Sequence, residues 1–346
     1  MRTPLLLLST ILLTASFGCD SEEKKPEPKP EAKAEPKPDP EAEAAKKKAE
    51  EEAKKEQERK ERVAKAFAEL EESNKKADER FTDEVKAAIA KVAKIKIKDT
   101  KKDLPAILKS PHRSPENAAR DPHRHPVETL VFLGIKPNMT VLEVGPGEGW
   151  YTEVLAPLLA QSGKLVITAF DPKGPEDKYE TVYARSLESM FNRAPELLGK
   201  IEQLLSPSFQ EIKFGDDEAY DAVLLIRGMH GWQNSGKLKE RLAEVHRVLK
   251  PGGVFGVVQH RAKADAKAEE SSKNGYLPEA FVIAAVEEAG FTLEEKSEIN
   301  ANPKDTTDHE KGVWTLPPTL ALEDKDADKY KEIGESDRMT LRFRKK

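Results

Sequence analysis

The chain has 346 residues, enough for one or two domains. Charged residues make up 35% and hydrophobic residues 37%, a balance too polar for the whole chain to pack into one globule. The net charge is only −5, with acidic and basic residues interleaved, so no basic face is offered to nucleic acid.

The first residues have the pattern of an export signal. Arg2 gives a positive start, residues 5–8 and 11–13 form an apolar run, and the run meets Ala15, Ser16, Phe17, Gly18 and Cys19. That run is too short to span a bilayer as a mature helix. A small residue before the only cysteine of the chain resembles a bacterial lipoprotein signal. The resemblance implies removal of residues 1–18, lipidation of Cys19 and anchorage to a membrane of the cell envelope; an ordinary signal peptide followed by a chance cysteine is the other reading. One cysteine permits no internal disulfide, so the fold must stand on its core.

Residues 20–62 contain no aromatic residue and no Leu, Ile, Val or Met. Residues 19–62 are therefore expected to be a disordered or solvated tether. Its early prolines favour an extended polyproline-like form, and its later Ala, Glu and Lys favour helix. In residues 63–109, Val63, Phe67 and Leu70, then Phe81, Val85, Ile89 and Val92, recur at helical spacing. This predicts an amphipathic helical region with a solvated charged face. On this reading, residues before about Ser110 are dispensable for folding.

From 110 to 346, strand-like apolar runs alternate with helical ones, which predicts a parallel sheet with crossover helices. Strands are expected at 140–144, 164–170, 209–214, 222–226, 254–259, 291–299 and 339–343. Helices are expected at 151–160, across 177–205 with a break near Pro195, at 238–249, and from Pro278 to Gly290. The fold class is α/β, a Rossmann-like, seven-stranded, doubly wound sheet.

The chemistry is carried by Val141-Leu142-Glu143-Val144-Gly145-Pro146-Gly147-Glu148-Gly149, three alternate glycines between a strand and a helix. Glycine lets the backbone turn sharply and admits a ligand where a Cβ would obstruct it. A dinucleotide fingerprint has G-x-G-x-x-G and seats a pyrophosphate. Here the spacing is shorter, and Glu143 precedes the first glycine by two residues. A carboxylate there repels a pyrophosphate and suits a cationic amino group.

This stretch resembles motif I of class I S-adenosylmethionine-dependent methyltransferases. The resemblance implies S-adenosylmethionine as cofactor, held by Glu143, Gly145, Gly147 and Gly149. It further implies that Asp171, after the second strand, binds ribose hydroxyls, and that Asp216 and Asp217, after the third, contact adenine. Leu249-Lys250-Pro251-Gly252-Gly253 matches the turn before the family's fifth strand. From about Ser110 onward the chain also resembles a group of bacterial predicted methyltransferases, many with signal peptides. The matching stretches include Arg120-Asp121, Arg124-His125-Pro126, Gly149-Trp150-Tyr151-Thr152 and Gly334-Glu335-Ser336-Asp337-Arg338-Met339.

Methyl transfer needs an aligned nucleophile and, for some acceptors, a base. His230 and His260 follow the fourth and fifth strands and are the candidate bases. Tyr151, Arg227, Trp232, Arg261, Asn302 and Trp314 are candidate substrate contacts. Asn302 to His309 and Trp314 to Pro318 form a long polar loop between the last two strands, either a substrate cover or a rigid insertion. His112, His123 and His125 do not complete a metal-ligand pattern, and no metal is expected. No G-x-S-x-G elbow or P-loop lysine is present.

Two function classes follow. One is a methyltransferase with a small-molecule or protein acceptor on a lipid-anchored, exported chain. The other is a non-catalytic anchored protein that keeps the fold and binds a ligand. Export and a cofactor made in the cytoplasm pull against each other. The retained loop and its acidic partners favour the enzyme. In an expressing bacterium, Cys19→Ser should move the protein out of the membrane fraction, as fractionation and immunoblotting would show; wild-type protein already free in the cytoplasm would remove the export reading.

Overall fold

The computed structural model describes residues 40–346; the signal segment, Cys19 and the proline-rich part of the tether lie outside the described residues. The chain divides into two units, Met1–Lys54 and Lys55–Lys346. Helix α1 (Pro40–Arg80) begins in the first. Its charges there are exposed and spaced for i,i+4 pairing, as in Lys47 with Glu43 at 3.2 Å.

The second unit carries six helices before its first strand ends the N-terminal part. After the end of α1 come α2 (Asp83–Val92), α3 (Thr100–Leu108) and three short helices, α4 (Pro115–Ala118), α5 (Asp121–Arg124) and α6 (Pro126–Phe132). Thr82 caps α2 and Asp99 caps α3, each side chain accepting a first-turn backbone N–H. The alternating part follows: β1 (Thr140–Val144), α7 (Thr152–Leu159), β2 (Lys164–Ala169), α8 (Tyr179–Arg193), α9 (Pro195–Leu198), β3 (Glu202–Leu205) and β4 (Tyr220–Ile226). Then come α10 (Met229–Asn234), α11 (Leu238–Val248), β5 (Leu249–His260), α12 (Ala268–Ser271), α13 (Glu279–Glu288), β6 (Phe291–Ser297), α14 (Ala327–Ile333) and β7 (Arg338–Lys345).

The seven strands form one sheet in the order β3-β2-β1-β4-β5-β7-β6. The first five are parallel, and β7 runs antiparallel between β5 and β6. Period-two alternation splits the strand residues between two cores. Val141, Leu165 and Ile167 face one cluster, while Leu142, Val144 and Val166 face the other. The strand order reverses between β1 and β4, so the carboxyl ends of these two strands border the crevice where this architecture takes ligands.

Two sequence expectations are corrected. The third strand is Glu202–Leu205, not residues 209–214, which make only an isolated bridge between Ser208 and Glu211. The apolar residues that suggested a strand are packing residues: Phe209 lies edge-on to Phe170 with centroids 4.7 Å apart, and Phe214 is buried against Trp232. β5 also starts earlier than residue 254, at Leu249. Its register against β4 slips at Pro251-Gly252-Gly253, because proline cannot donate to the ladder.

Ser110 marks a change of sequence pattern but no break in packing. Phe81, Ile89, Ile97, Leu104 and Ile107 are buried in the same cluster as Leu130, Val141, Leu155 and Leu165. Thr100 Oγ1 donates to the Ile135 carbonyl at 2.6 Å, and Arg193 Nε donates to Asp78 Oδ1 at 2.7 Å, so the connection is polar as well. Among the described residues, no helix is long and apolar enough to cross a membrane. A chain starting at Ser110 should lose cooperative unfolding, while one starting at Lys55 should keep it. Leu104→Ala, which empties a fully buried site, should cost about 2–5 kcal/mol by denaturant titration.

Candidate active site

The glycine loop leaves the carboxyl end of β1. Gly145, Gly147 and Gly149 have φ of 64°, 59° and 81°, a region that side chains avoid, so glycine is required at each. Their roles differ. A Cβ on Gly145 or Gly147 would meet nothing within 4 Å, so the loop is open on that side. A Cβ on Gly149 would lie 2.5 Å from Met190 Cε, so this glycine serves packing against α8. Thr168 on β2 fixes the start of the loop by accepting the Gly145 N–H at 2.8 Å.

Glu143 is 3% exposed, and its carboxylate accepts one hydrogen bond, from Thr152 Oγ1 at 2.7 Å. Burial pushes its pKa up from 4.5 to about 7, and the Thr152 bond only partly opposes this. Asp171 is exposed beyond β2 and takes the Lys173 N–H on one oxygen at 2.8 Å. Phe170 and exposed Phe209 stand beside it as an aromatic pair that the sequence pattern disguised as a strand.

Asp216 and Asp217 do not join this site. With β3 ending at Leu205, they lie in the segment that leads to the amino end of β4. Asp217 pairs with Arg247 near the end of α11, whose Nη2 also donates to the Gly215 carbonyl at 2.9 Å. These aspartates therefore hold the opposite end of the sheet. A cleft lined by Ala160, Gly163, Lys164 and Leu165 also lies at that end, beside the start of β2.

Both histidines lie at the carboxyl end of the sheet, His230 in α10 after β4 and His260 at the end of β5. His230 and His260 have ring centroids 5.9 Å apart, and the exposed Trp314 lies edge-on to His230 at 5.9 Å. His260 Nδ1 is 2.5 Å from Ser336 Oγ, and His230 Nδ1 is 3.4 Å from the Gln259 amide nitrogen. Burial pushes His230 down to about 4 and His260 well below its ordinary value, with the Arg227 charge adding to both. Both imidazoles are therefore neutral at physiological pH.

The other substrate candidates separate. Tyr151 is buried against Trp150 beside the loop. Arg227 follows β4 in the left-handed region, φ 60°, with its backbone N–H on the Val258 carbonyl at 2.6 Å. A non-glycine residue held there stores strain, of the kind that gathers at functional sites. Trp232 is buried in the core against Phe214. Arg261 is engaged by Asp337, Glu279 and Glu298, which leaves it no free donor fork for a substrate. Asn302 donates to the Ile333 and Glu335 carbonyls, at 2.8 and 2.7 Å, and so braces its own loop. Asp305 braces the same loop, accepting from Tyr276, His309, and the Thr307 and Asp337 N–H groups. Residues 302–309 are thus held by hydrogen bonds of their own.

Residues 142–257 match the family described as a methyltransferase domain. A ubiquinone/menaquinone biosynthesis C-methyltransferase of Hydrogenovibrio crunogenus is 25% identical over 171 residues, 49% of this chain and 60% of that protein. A sterol 24-C-methyltransferase of Gibberella zeae is 32% identical over 127 residues, 37% of this chain and 29% of that protein. The chain thus spans less than two thirds of either relative's length. A solved S-adenosylmethionine-dependent methyltransferase of Aquifex aeolicus is 19% identical, covering 70% of this chain and 98% of its own, at a TM-score of 0.42. The 1,6-didemethyltoxoflavin-N1-methyltransferase of Burkholderia thailandensis, solved with S-adenosylhomocysteine, is 16% identical, covering 70% and 88%, at a TM-score of 0.40. The strand order β3-β2-β1-β4-β5-β7-β6, with β7 antiparallel, makes a Rossmann-like seven-stranded sheet, and the matched residues run from β1 into β5.

The raised pKa of Glu143 has a consequence for stability. The folded state holds this proton up to about pH 7 and the unfolded chain only to about 4.5, so this residue lowers stability as pH rises between those values. Glu143→Gln removes the effect. The melting temperature of the variant relative to wild type should climb from pH 5 to pH 8, by the equivalent of roughly 1–3 kcal/mol. A difference independent of pH would show that the carboxylate is ionised throughout.

Proposed function

We propose that this chain is an S-adenosylmethionine-dependent methyltransferase whose acceptor is a small molecule or a protein, carried on an exported chain anchored through Cys19. The anchoring rests on Arg2, the apolar run and the lone cysteine at its end. The enzymatic reading rests above all on one observation: a glycine loop open on one side, with a buried and under-bonded carboxylate at its root. The match to a methyltransferase domain family supports it, as do two relatives named as C-methyltransferases.

The residues suit the cofactor. Glu143 faces a cationic amino group, and Gly145 and Gly147 let a methionine moiety approach the backbone. Asp171 keeps an oxygen for ribose hydroxyls. Phe170 and Phe209, in place of Asp216 and Asp217, present an apolar wall to the adenine. Bound there, the cofactor supplies a methyl group on a positively charged sulfur. The protein's part is to align the acceptor and exclude water, because in-line displacement is governed by approach geometry. Buried Tyr151 and Trp150 close the floor beside the loop. His230, neutral and not tied to a hydroxyl, is the better placed of the two histidines to take a proton from the acceptor. A pKa near 4 makes it a weak base, suited to an acceptor proton already acidified by methyl transfer.

Calorimetric titration of the purified chain should show binding of S-adenosylmethionine and S-adenosylhomocysteine and none of NAD. Glu143→Ala should weaken that binding by roughly 1–3 kcal/mol. Gly147→Val should abolish it by filling the open side of the loop. Because the ligand's ammonium needs the carboxylate ionised, wild-type affinity should rise as pH passes upward through about 7 and then level off. Tighter binding of NAD, or indifference to Glu143→Ala, would overturn the assignment.

A further inference from the structure

Three arginines meet beside the glycine loop around one carboxylate, and a fourth lies within electrostatic range of it. Arg120 Nε donates to Glu335 Oε1 at 2.7 Å, Arg124 Nε to Oε2 at 3.0 Å, and Arg338 Nη1 to Oε2 at 2.8 Å. Arg227, at the strained end of β4, makes no ion pair among the described residues but feels Glu335, Arg120 and Arg338 electrostatically. Arg124, Arg338 and Glu335 are each at most 3% exposed. One carboxylate cannot neutralise four guanidinium groups. The shortfall shows in unused donors: Arg120 Nη2, Arg124 Nη1 and Nη2, Arg227 Nε and Arg338 Nε are buried without a protein partner. The Arg124 guanidinium lies 4.6 Å over the Trp150 ring, which receives its face and leaves the in-plane Nη1 and Nη2 groups unused.

Buried charge without a counter-charge is costly, and so is a buried donor without an acceptor. An anion seated among these donors would complete the cluster. The guanidinium fork matches the paired oxygens of carboxylate and phosphate. The position is informative too: Trp150 directly follows the glycine loop, Arg227 ends β4, and the Arg227 and Arg338 charges act on His260.

We propose that Arg120, Arg124, Arg227 and Arg338 form an oxyanion-binding site that holds a carboxylate or phosphate group of the methyl acceptor. The assignment of the anion to the acceptor rests on the glycine loop being the methyl-donor site. The anion would sit between the arginines and be shared among donors that Glu335 leaves unsatisfied. Burial and the neighbouring guanidinium groups already push Arg227 down to about 10, and an anion would relieve that repulsion. Acceptors lacking a negative group would then be poor substrates.

The test uses the full chain at constant ionic strength in chloride, with inorganic phosphate and acetate as probes and S-adenosylhomocysteine titrated in parallel. Wild type should bind one of the two anions, and which one distinguishes a phosphorylated acceptor from a carboxylated one. Arg227→Met should weaken that anion about 10-fold or more while leaving S-adenosylhomocysteine binding within about 3-fold. Should Arg227→Met fail to fold, Arg227→Lys carries the test, with intermediate anion affinity. Glu335→Gln, which removes the competing carboxylate, should tighten the anion. Failure of both anions to bind wild type, or equal binding by wild type and the Arg227 variant, overturns the site. Anion binding without any S-adenosylhomocysteine binding keeps the site and overturns the methyltransferase reading.

Discussion

The Glu335 carboxylate joins parts of the chain that the sequence keeps far apart. It receives Arg120 and Arg124 from the short helices ahead of β1, more than 200 residues upstream, and Arg338 from the start of β7. Ser336, next to it, reaches His260, and Asp337 reaches Arg261 and the backbone of Asn302. The segment between α14 and β7 is thus a junction where the helical N-terminal part, the inserted loop and the end of β5 are fixed together. A single buried acid has this influence because each guanidinium it gathers is otherwise a buried charge with no partner, and removing one member of such a set usually costs several kcal/mol.

That junction and the glycine loop use opposite electrostatics a short way apart. At the loop, Glu143 is a buried acid with one hydrogen bond and an excess of negative potential when ionised. At the junction, the arginines outnumber the acid. A reaction between a cationic donor and an anionic acceptor is served by this division, since each partner is drawn to its own side and repelled from the other. The neutral histidines stay uncharged first because burial penalises an imidazolium and then because it would feel the Arg227 charge.

Much of this was legible in the sequence, for identifiable reasons. The glycine loop announced itself because backbone at positive φ leaves little choice of residue, and β1, β2 and β4 because central parallel strands need unbroken apolar runs. β3 was illegible: it is a four-residue edge strand, half exposed, and Phe209 and Phe214 nearby imitated a better one. Residues 63–109 looked separable because their apolar residues are sparse among charges, yet nearly all of those few are partly or fully buried. Arg261 and Asn302 looked functional from their position after strands, and only coordinates show their donors already engaged. The arginine cluster was hidden by distance in sequence, although Arg120, Arg124, Glu335 and Arg338 fall within the stretches Arg120-Asp121, Arg124-His125-Pro126 and Gly334 to Met339 that carried the family resemblance.

The two borders of the sheet are built differently from its middle. At one, β3 is only four residues long, with Glu202 and Gln203 exposed. At the other, the pairing of β6 with β7 slips between Leu293 and Glu295, and Glu294 and Glu295 are tied to Arg342 and Arg344 at 2.8 Å. Brevity, a kink and a row of charges are the means by which natural sheets keep a bare rim of backbone from recruiting a strand of another molecule. Copies of this chain crowded together should therefore resist joining rim to rim into a continuous ribbon.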